Sequence, residues 1–305
     1  MALERQRRTT PLLGFLNSGS RDAFERPMAA FRKGLKEAGY AGSDVAIEYR
    51  WADGKVDQLP ALAADLVNRQ VDVIAVTGGA TPARAAAAAT KEIPIVFAGC
   101  DPDDAGLVSN FERPDGNATG VDVCVLKGQP HRPYLVNELV PGATFAVLVN
   151  PNAFGAQFEK KEAEEAAAKF GRKPVVIEAS AESDFGPAFD SCRRHGVGAL
   201  VVHADTFFTS QREKIVELAT LNRLPAIYAW REFVEAGGLM SYGPNLTNAY
   251  RQVGFYSGMI LKGSKPVELP VLQRGAELVI NLEAARAIGL VVPPRLLAQA
   301  DEVIE

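Results

Sequence analysis

The chain reads as an α/β protein made of two similar units, each built round a parallel sheet. Two observations predict it. Short apolar runs alternate with stretches whose apolar residues recur at spacings of three and four, as expected of strands followed by helices that pack back on a sheet. The alternation then restarts near Thr144, and 305 residues suffice for two domains of ordinary size.

In order, the first strand falls at 12–16, a short apolar run. Phe24, Met28, Phe31, Leu35 and Ala38 then share one helical face. Further strands fall at 45–49, 71–76 and 93–97, with helices at 59–68 and 82–90 between the later ones. This βαβαβαβ order argues for a parallel sheet covered on both faces. The second unit repeats the layout, with strands at 145–149, 174–178, 199–203 and 226–228 and helices at 157–170, 185–195 and 209–222. The first of those helices carries Glu159, Lys160, Lys161, Glu162, Glu164 and Glu165, a charge run expected on a solvated face.

Composition excludes several classes. A 47% hydrophobic and 23% charged content is that of a globular protein, and no stretch approaches the roughly 20 apolar residues of a membrane span. With a net charge of -4 and no basic stripe, no nucleic-acid partner is expected. Cys100, Cys124 and Cys192 lack metal-ligand spacing, and an odd number cannot all pair internally. His131, His195 and His203 form no HExxH pattern, no G-x-S-x-G elbow occurs, and no Walker lysine follows the glycines near residue 78. No catalytic residue, metal or cofactor is expected.

Open parallel sheets bind ligands beyond the carboxyl ends of their strands, where loop amides and helix N-termini converge. In the first unit this places Ser18, Ser20, Trp51, Gly78, Gly79, Thr81 and Asp101 as candidates. The stretch 77–81 is the anion candidate, because glycines permit close backbone approach and Thr81 is suited to cap the next helix; an ordinary strand-to-helix turn is the alternative. In the second unit the candidates are Asn150, Asp205, Trp230 and Tyr242. Asp205 suits a ligand ammonium or the N-cap of a helix starting near Phe207; Arg231 suits an acid or a surface pair with Glu232. Trp230 and Tyr242 suit an aromatic or aliphatic body, and the mixture fits a small zwitterion.

The segment 225–243 sets a short strand, an aromatic and charged tip and a second strand in succession. It is joined by Leu13-Gly14-Phe15-Leu16-Asn17-Ser18-Gly19-Ser20, Ile93-Pro94-Ile95-Val96-Phe97, Asn117-Ala118-Thr119-Gly120-Val121 and Val147-Leu148-Val149-Asn150-Pro151-Asn152. Together these resemble the solute-binding proteins of ABC uptake systems, relatives of the tryptophan-type binding components, over nearly the whole chain. The resemblance implies a type I periplasmic-binding-protein fold with lobes at 11–122 plus 244–274 and at 123–243 plus 275–305. It implies crossings near 121–125, 241–244 and 273–280 that act as hinges, and a ligand cleft between the lobes with Trp230 in or beside it.

By the same resemblance the protein is an extracytoplasmic, monomeric, non-enzymatic component of an ABC importer. It closes around an amino acid, aromatic by preference, or an aromatic carboxylate, and delivers it to a membrane permease. Two features depart from the pattern. Residues 1–10 carry Arg5, Arg7 and Arg8 with no apolar h-region before Pro11, so no export signal is read there. The stretch 127–133 holds Pro130 and Pro133 where relatives carry an uninterrupted helix start. The first departure keeps a cytosolic ligand sensor of the same fold as an alternative, although no helix-turn-helix head is present. An α/β enzyme using Cys100 or His203 ranks third.

Overall fold

The computed structural model describes residues 10–100, 102–103, 105–124, 132–153, 155–273 and 275–305. Two compact units emerge: Met1–Asp122 with Thr247–Gln273, and Val123–Leu246 with Arg274–Glu305, so the chain passes between them three times. It runs through β1 (Leu12–Asn17), α1 (Glu25–Glu37), β2 (Ala46–Trp51), α2 (Leu59–Asn68), β3 (Val73–Thr77), α3 (Ala80–Ala89), β4 (Ile95–Gly99) and β5 (Ala118–Asp122) in the first unit. The second unit continues with α4 (Arg132–Leu139), β6 (Phe145–Val149), α5 (Ala156–Lys169), β7 (Val175–Glu178), α6 (Phe185–Arg194), β8 (Ala199–Val202), α7 (Thr206–Ser210), α8 (Arg212–Leu221), β9 (Ala226–Tyr228), α9 (Arg231–Glu235) and β10 (Met240–Gly243). The chain returns to the first unit for α10 (Leu246–Leu261) and β11 (Leu272–Gln273), and ends in the second with β12 (Glu277–Asn281), α11 (Leu282–Ile288), α12 (Pro294–Gln299) and β13 (Glu302–Ile304).

The first unit's sheet has the order β11-β5-β4-β3-β1-β2 and is parallel throughout. Alternation along β1 assigns its two faces. Leu16 packs with Leu59, Ala63 and Leu66 of α2 and Ala83 of α3, while Phe15 meets Phe31 of α1 edge-on at 5.3 Å. Both faces are therefore covered, as the alternating pattern predicts. Helix α10 joins α1 on the Phe15 face, where Gly254 lies against the Phe31 carbonyl and Gly34 against that of Arg251.

The second unit's sheet has the order β13-β12-β10-β9-β8-β6-β7. Val147, Val149, Val201, Ile227 and Met240 form one core with Leu135 and Leu139 of α4 and Ala163 and Ala167 of α5. Each fully buried aliphatic side chain of this kind contributes about 1.5–3 kcal/mol relative to exposure. One pair breaks the parallel pattern: β12 runs antiparallel to β10, with Gly243 opposite Glu277 and Met240 opposite Ile280. The reason is topological. The chain leaves the unit just past the end of β10 and re-enters beside that same end, so continuing inward reverses its direction.

Two local expectations are revised, and a third falls mostly outside the described residues. The helix expected at 209–222 is two helices, broken at Gln211, with the first starting at Thr206 because Asp205 caps it. Glu159 is not on a solvated face: its side chain is 17% exposed and pairs at 2.7 Å with the buried Arg132, while Lys160 and Lys161 keep surface partners in Glu178 and Glu165. Residues 127–131 lie outside the described residues; Pro133 sits in the first turn of α4, where a missing N–H costs nothing.

Cys100 and Cys124 are disulfide-bonded to each other, since Cys192 is free and buried. Their pairing follows from the sheet: β4 and β5 are neighbours with Gly99 opposite Asp122, so the chain places one cysteine just past each strand end. Burial pushes the Cys192 thiol up to about 11. Among the described residues, no helix is long and apolar enough to cross a membrane.

Candidate functional site

At the carboxyl ends of the first unit's strands, three loops are tied together round residues 17–19. Ser18 is buried, and its hydroxyl donates to the Gly78 carbonyl at 2.7 Å. From the loop after β2, the amides of Ala52, Asp53 and Gly54 donate to the carbonyls of Asn17, Gly19 and Ser18 at 2.9, 3.1 and 2.8 Å. Gly78 and Gly79 have φ of 89° and 101°, a conformation that L side chains avoid. They deliver the chain into α3, whose N-cap, Gly79, has no side chain with which to cap the first amides. Thr81 is not the cap expected from the sequence: Gly79 holds the N-cap position and Thr81 already lies inside the helix. The arrangement suits an anion, because the amides of Gly79, Ala80 and Thr81 lie at the positive end of the helix dipole; Pro82, third in the helix, has no N–H to offer. Ser20 is half-buried beside this loop, and Asp101 lies outside the described residues.

Trp51 ends β2 and packs against Phe15 at 5.3 Å and Phe24 at 6.3 Å. It also lines a cavity of about 410 Å³ with Arg21, Glu25, Met28, Arg32 and Tyr49. One ring is thus shared between an aromatic cluster and an open space that carries both signs of charge.

In the second unit, Asn150 follows β6 and Asp205 lies three residues beyond β8. Asp205 accepts from the Phe208 amide at 3.0 Å, which makes it the N-cap of α7, and from Asn150 Nδ2 at 3.3 Å through each oxygen. Of the two roles the sequence left open, the cap is present; an ionised carboxylate offers about four acceptor sites, so the cap does not exhaust it. Trp230 precedes α9 with 8% exposure. Tyr242 belongs to the second unit's core, and burial with the nearby charge of Asp301 raises its phenol above the ordinary range.

Arg231 finds acidic partners within the second unit. It bonds Glu235 and Glu302 at 3.0 Å each and stands 3.7 Å from Glu277, so its charge is spent on tying α9 to β12 and β13. The catalytic alternative loses its thiol, because Cys100 is oxidised and supplies no thiolate. His203 is 4% exposed, with Nε2 3.6 Å from Glu159 Oε1 in a buried group that includes Arg132. Of two further buried residues here, Asn17 was read only as a strand end and Tyr250 was passed over. Asn17 and Tyr250 are both fully buried, and Asn17 Nδ2 donates to Tyr250 and Thr77 beneath the loops just described. A polar residue closing an apolar strand was the available signal for Asn17; nothing local marked Tyr250.

The family model described as ABC transporter substrate binding protein matches residues 15–304. A tyrosine-binding protein of Clostridioides difficile (strain R20291) is 26% identical over 277 residues, covering 88% of this chain and 78% of that protein. A conserved domain protein from Vibrio cholerae superposes with a TM-score of 0.85 at 28% identity, over 96% of this chain and 99% of its own. A Streptococcus pneumonia protein solved in complex with L-Trp gives 0.83 at 24% identity, over 97% and 100%.

Proposed function

Because the chain belongs to the ABC transporter substrate-binding protein family, with the fold of the type I periplasmic binding proteins, we propose that it captures a free aromatic amino acid outside the cytoplasm. It then delivers the amino acid to the permease of an ABC importer. The observation that carries the ligand class is the start of α3, whose N-cap, Gly79, has no capping side chain and follows Gly78 beside the Ser18 hydroxyl. In this reading Ser18, Ser20, Gly78, Gly79 and Thr81 hold the ligand carboxylate. Asn150 and Asp205 take the ammonium, and Trp51, Trp230 and Tyr242 offer aromatic surface to the ring. The tyrosine bound by the Clostridioides difficile relative fits the same chemistry. An extracytoplasmic setting is supported by the disulfide, since such bonds persist in oxidising compartments.

The test is a thermal-shift and calorimetric titration of ligand-stripped protein with L-tyrosine, L-tryptophan, L-phenylalanine and tyramine, which lacks the carboxylate. A saturating aromatic amino acid is expected to stabilise the protein by about 2.7 kcal/mol at a hundred times its Kd, and tyramine to leave it unchanged. No shift with any amino acid, or an equal shift with tyramine, overturns the reading.

Two substitutions refine it. Asp205→Ala is expected to weaken binding and also to cost about 1 kcal/mol of stability, because it removes the α7 cap. Trp230 is so buried that alanine would cost about 3–5 kcal/mol through the cavity alone, so Trp230→Phe is the informative change. It is expected to weaken binding with little loss in melting temperature; unchanged affinity in both variants removes these residues from the site.

A further inference from the structure

We infer that Asn17 is the positioning residue for the carboxylate end of the ligand site, acting through a buried hydrogen-bond network that reaches α10. The inference rests on the carboxylate placement proposed above. Asn17 is fully buried at the last position of β1. Its Nδ2 donates to Thr77 Oγ1 at 2.7 Å and to the Tyr250 hydroxyl at 2.9 Å, and its Oδ1 accepts from the Gly19 amide at 2.6 Å. One planar amide thereby fixes the end of β3, the turn after β1 and the beginning of α10.

These are the loops that shape the uncapped start of α3. Thr77 is the register partner of Asn17 and immediately precedes Gly78. Gly78 is pressed so close that a Cβ there would lie 2.6 Å from Ser18 Oγ and 3.1 Å from Asn17 Oδ1. A rotation of the amide is therefore felt at once by both loops. The loop after β2 follows, through its amide bonds to the carbonyls of residues 17–19. Tyr250 extends the network to α10: its ring stacks on Phe24 at 6.1 Å and 15°, and it stands four positions past Leu246, after which the chain re-enters the first unit. Asn17 thus links the proposed carboxylate contact to one of the three passages between units.

Only an amide meets the requirement. It supplies two donors and one acceptor in a fixed plane, and it is neutral. A carboxylate has the same shape but brings a buried negative charge beneath the amides proposed to hold the ligand's own carboxylate, where low dielectric magnifies the repulsion.

The experiment compares Asn17→Asp and Tyr250→Phe with the wild type in two readouts. In Asn17→Asp the Gly19 amide keeps its acceptor, and the Thr77 and Tyr250 hydroxyls can turn to donate, so the unit is expected to fold. Tyr250→Phe keeps the ring and deletes one acceptor. Amide hydrogen exchange in the ligand-free proteins is expected to rise roughly tenfold at 17–19 and 78–81 together in both variants, while β6, β8 and β9 stay at wild-type rates. Affinity for L-tyrosine in Asn17→Asp is expected to fall roughly tenfold further than affinity for L-tyrosinamide, whose carboxylate is neutralised. A merely structural residue would weaken both ligands alike. Unchanged exchange at these loops in folded variants, or equal losses for the two ligands, overturns the inference. Wild-type protein that binds neither compound overturns the ligand assignment instead, and the exchange result still decides the positioning role.

Discussion

Gly254→Val is expected to lower the stability of the first unit by about 3 kcal/mol or more, the upper end of what overpacking a close-packed site costs. A Cβ at Gly254 would lie 2.0 Å from the Phe31 carbonyl oxygen and 3.1 Å from the Leu35 amide nitrogen. Across the same contact, a Cβ at Gly34 would lie 1.9 Å from the Arg251 oxygen and 2.8 Å from the Phe255 nitrogen. Helices α1 and α10 therefore touch backbone to backbone, and neither side has a flexible side chain that could move aside. Glycine costs about 1 kcal/mol relative to alanine inside a helix, so two such residues facing each other mark a contact worth more than that. The melting temperature is expected to fall by roughly 6 °C or more. Gly186→Ala in α6 supplies the control: a Cβ there meets nothing within 4 Å, so helix propensity alone acts and the change is expected to stabilise slightly. A Gly254→Val protein that melts with the wild type would show that α1 and α10 do not pack this closely.

The same glycines explain why α10 was not legible in the sequence. Its buried stripe of Leu246, Ala249, Tyr250, Val253, Ser257 and Ile260 has helical spacing, yet half of it is small or hydroxylated. Gly254 and Gly258 lower local helix propensity further, and they make sense only against α1, more than 200 positions earlier. Where the pattern was purely apolar, reading was direct: 145–149 is β6, 226–228 is β9 and 59–68 is α2. The two- and three-residue strands β11 and β13 are too short to show a period. At the candidate site, what is local was readable and what is distant was not. Asp205 stands directly before the helix it caps, whereas Arg231 finds Glu302 71 positions away through strand order that no periodicity encodes. Asn17 was in view as a strand end, but its role depends on Tyr250, 233 positions on.

Removing the disulfide with Cys100→Ser and Cys124→Ser together is expected to cost about 3 kcal/mol, the loop-closure entropy returned to the unfolded chain by a ring of this size. The bond matters for more than stability, because it closes the stretch that contains Asp101 and all of β5, up to the first passage between units. Thiol titration tests the bond directly. The native protein is expected to show almost no reaction at pH 8, since Cys192 is buried and its thiol, held at about 11, is scarcely ionised. Unfolding without reductant should release one thiol, and unfolding with reductant all three cysteines of the chain. Three thiols without reductant would remove the disulfide, and with it the chemical support for an oxidising compartment. If the bond is present but the double variant melts with the wild type, the strand pairing that sets Gly99 opposite Asp122 already holds these ends, and the crosslink adds only chemical permanence. A melting temperature lowered by roughly 6 °C instead makes the fold depend on oxidation, so protein kept in a reducing cytosol would be the less stable form.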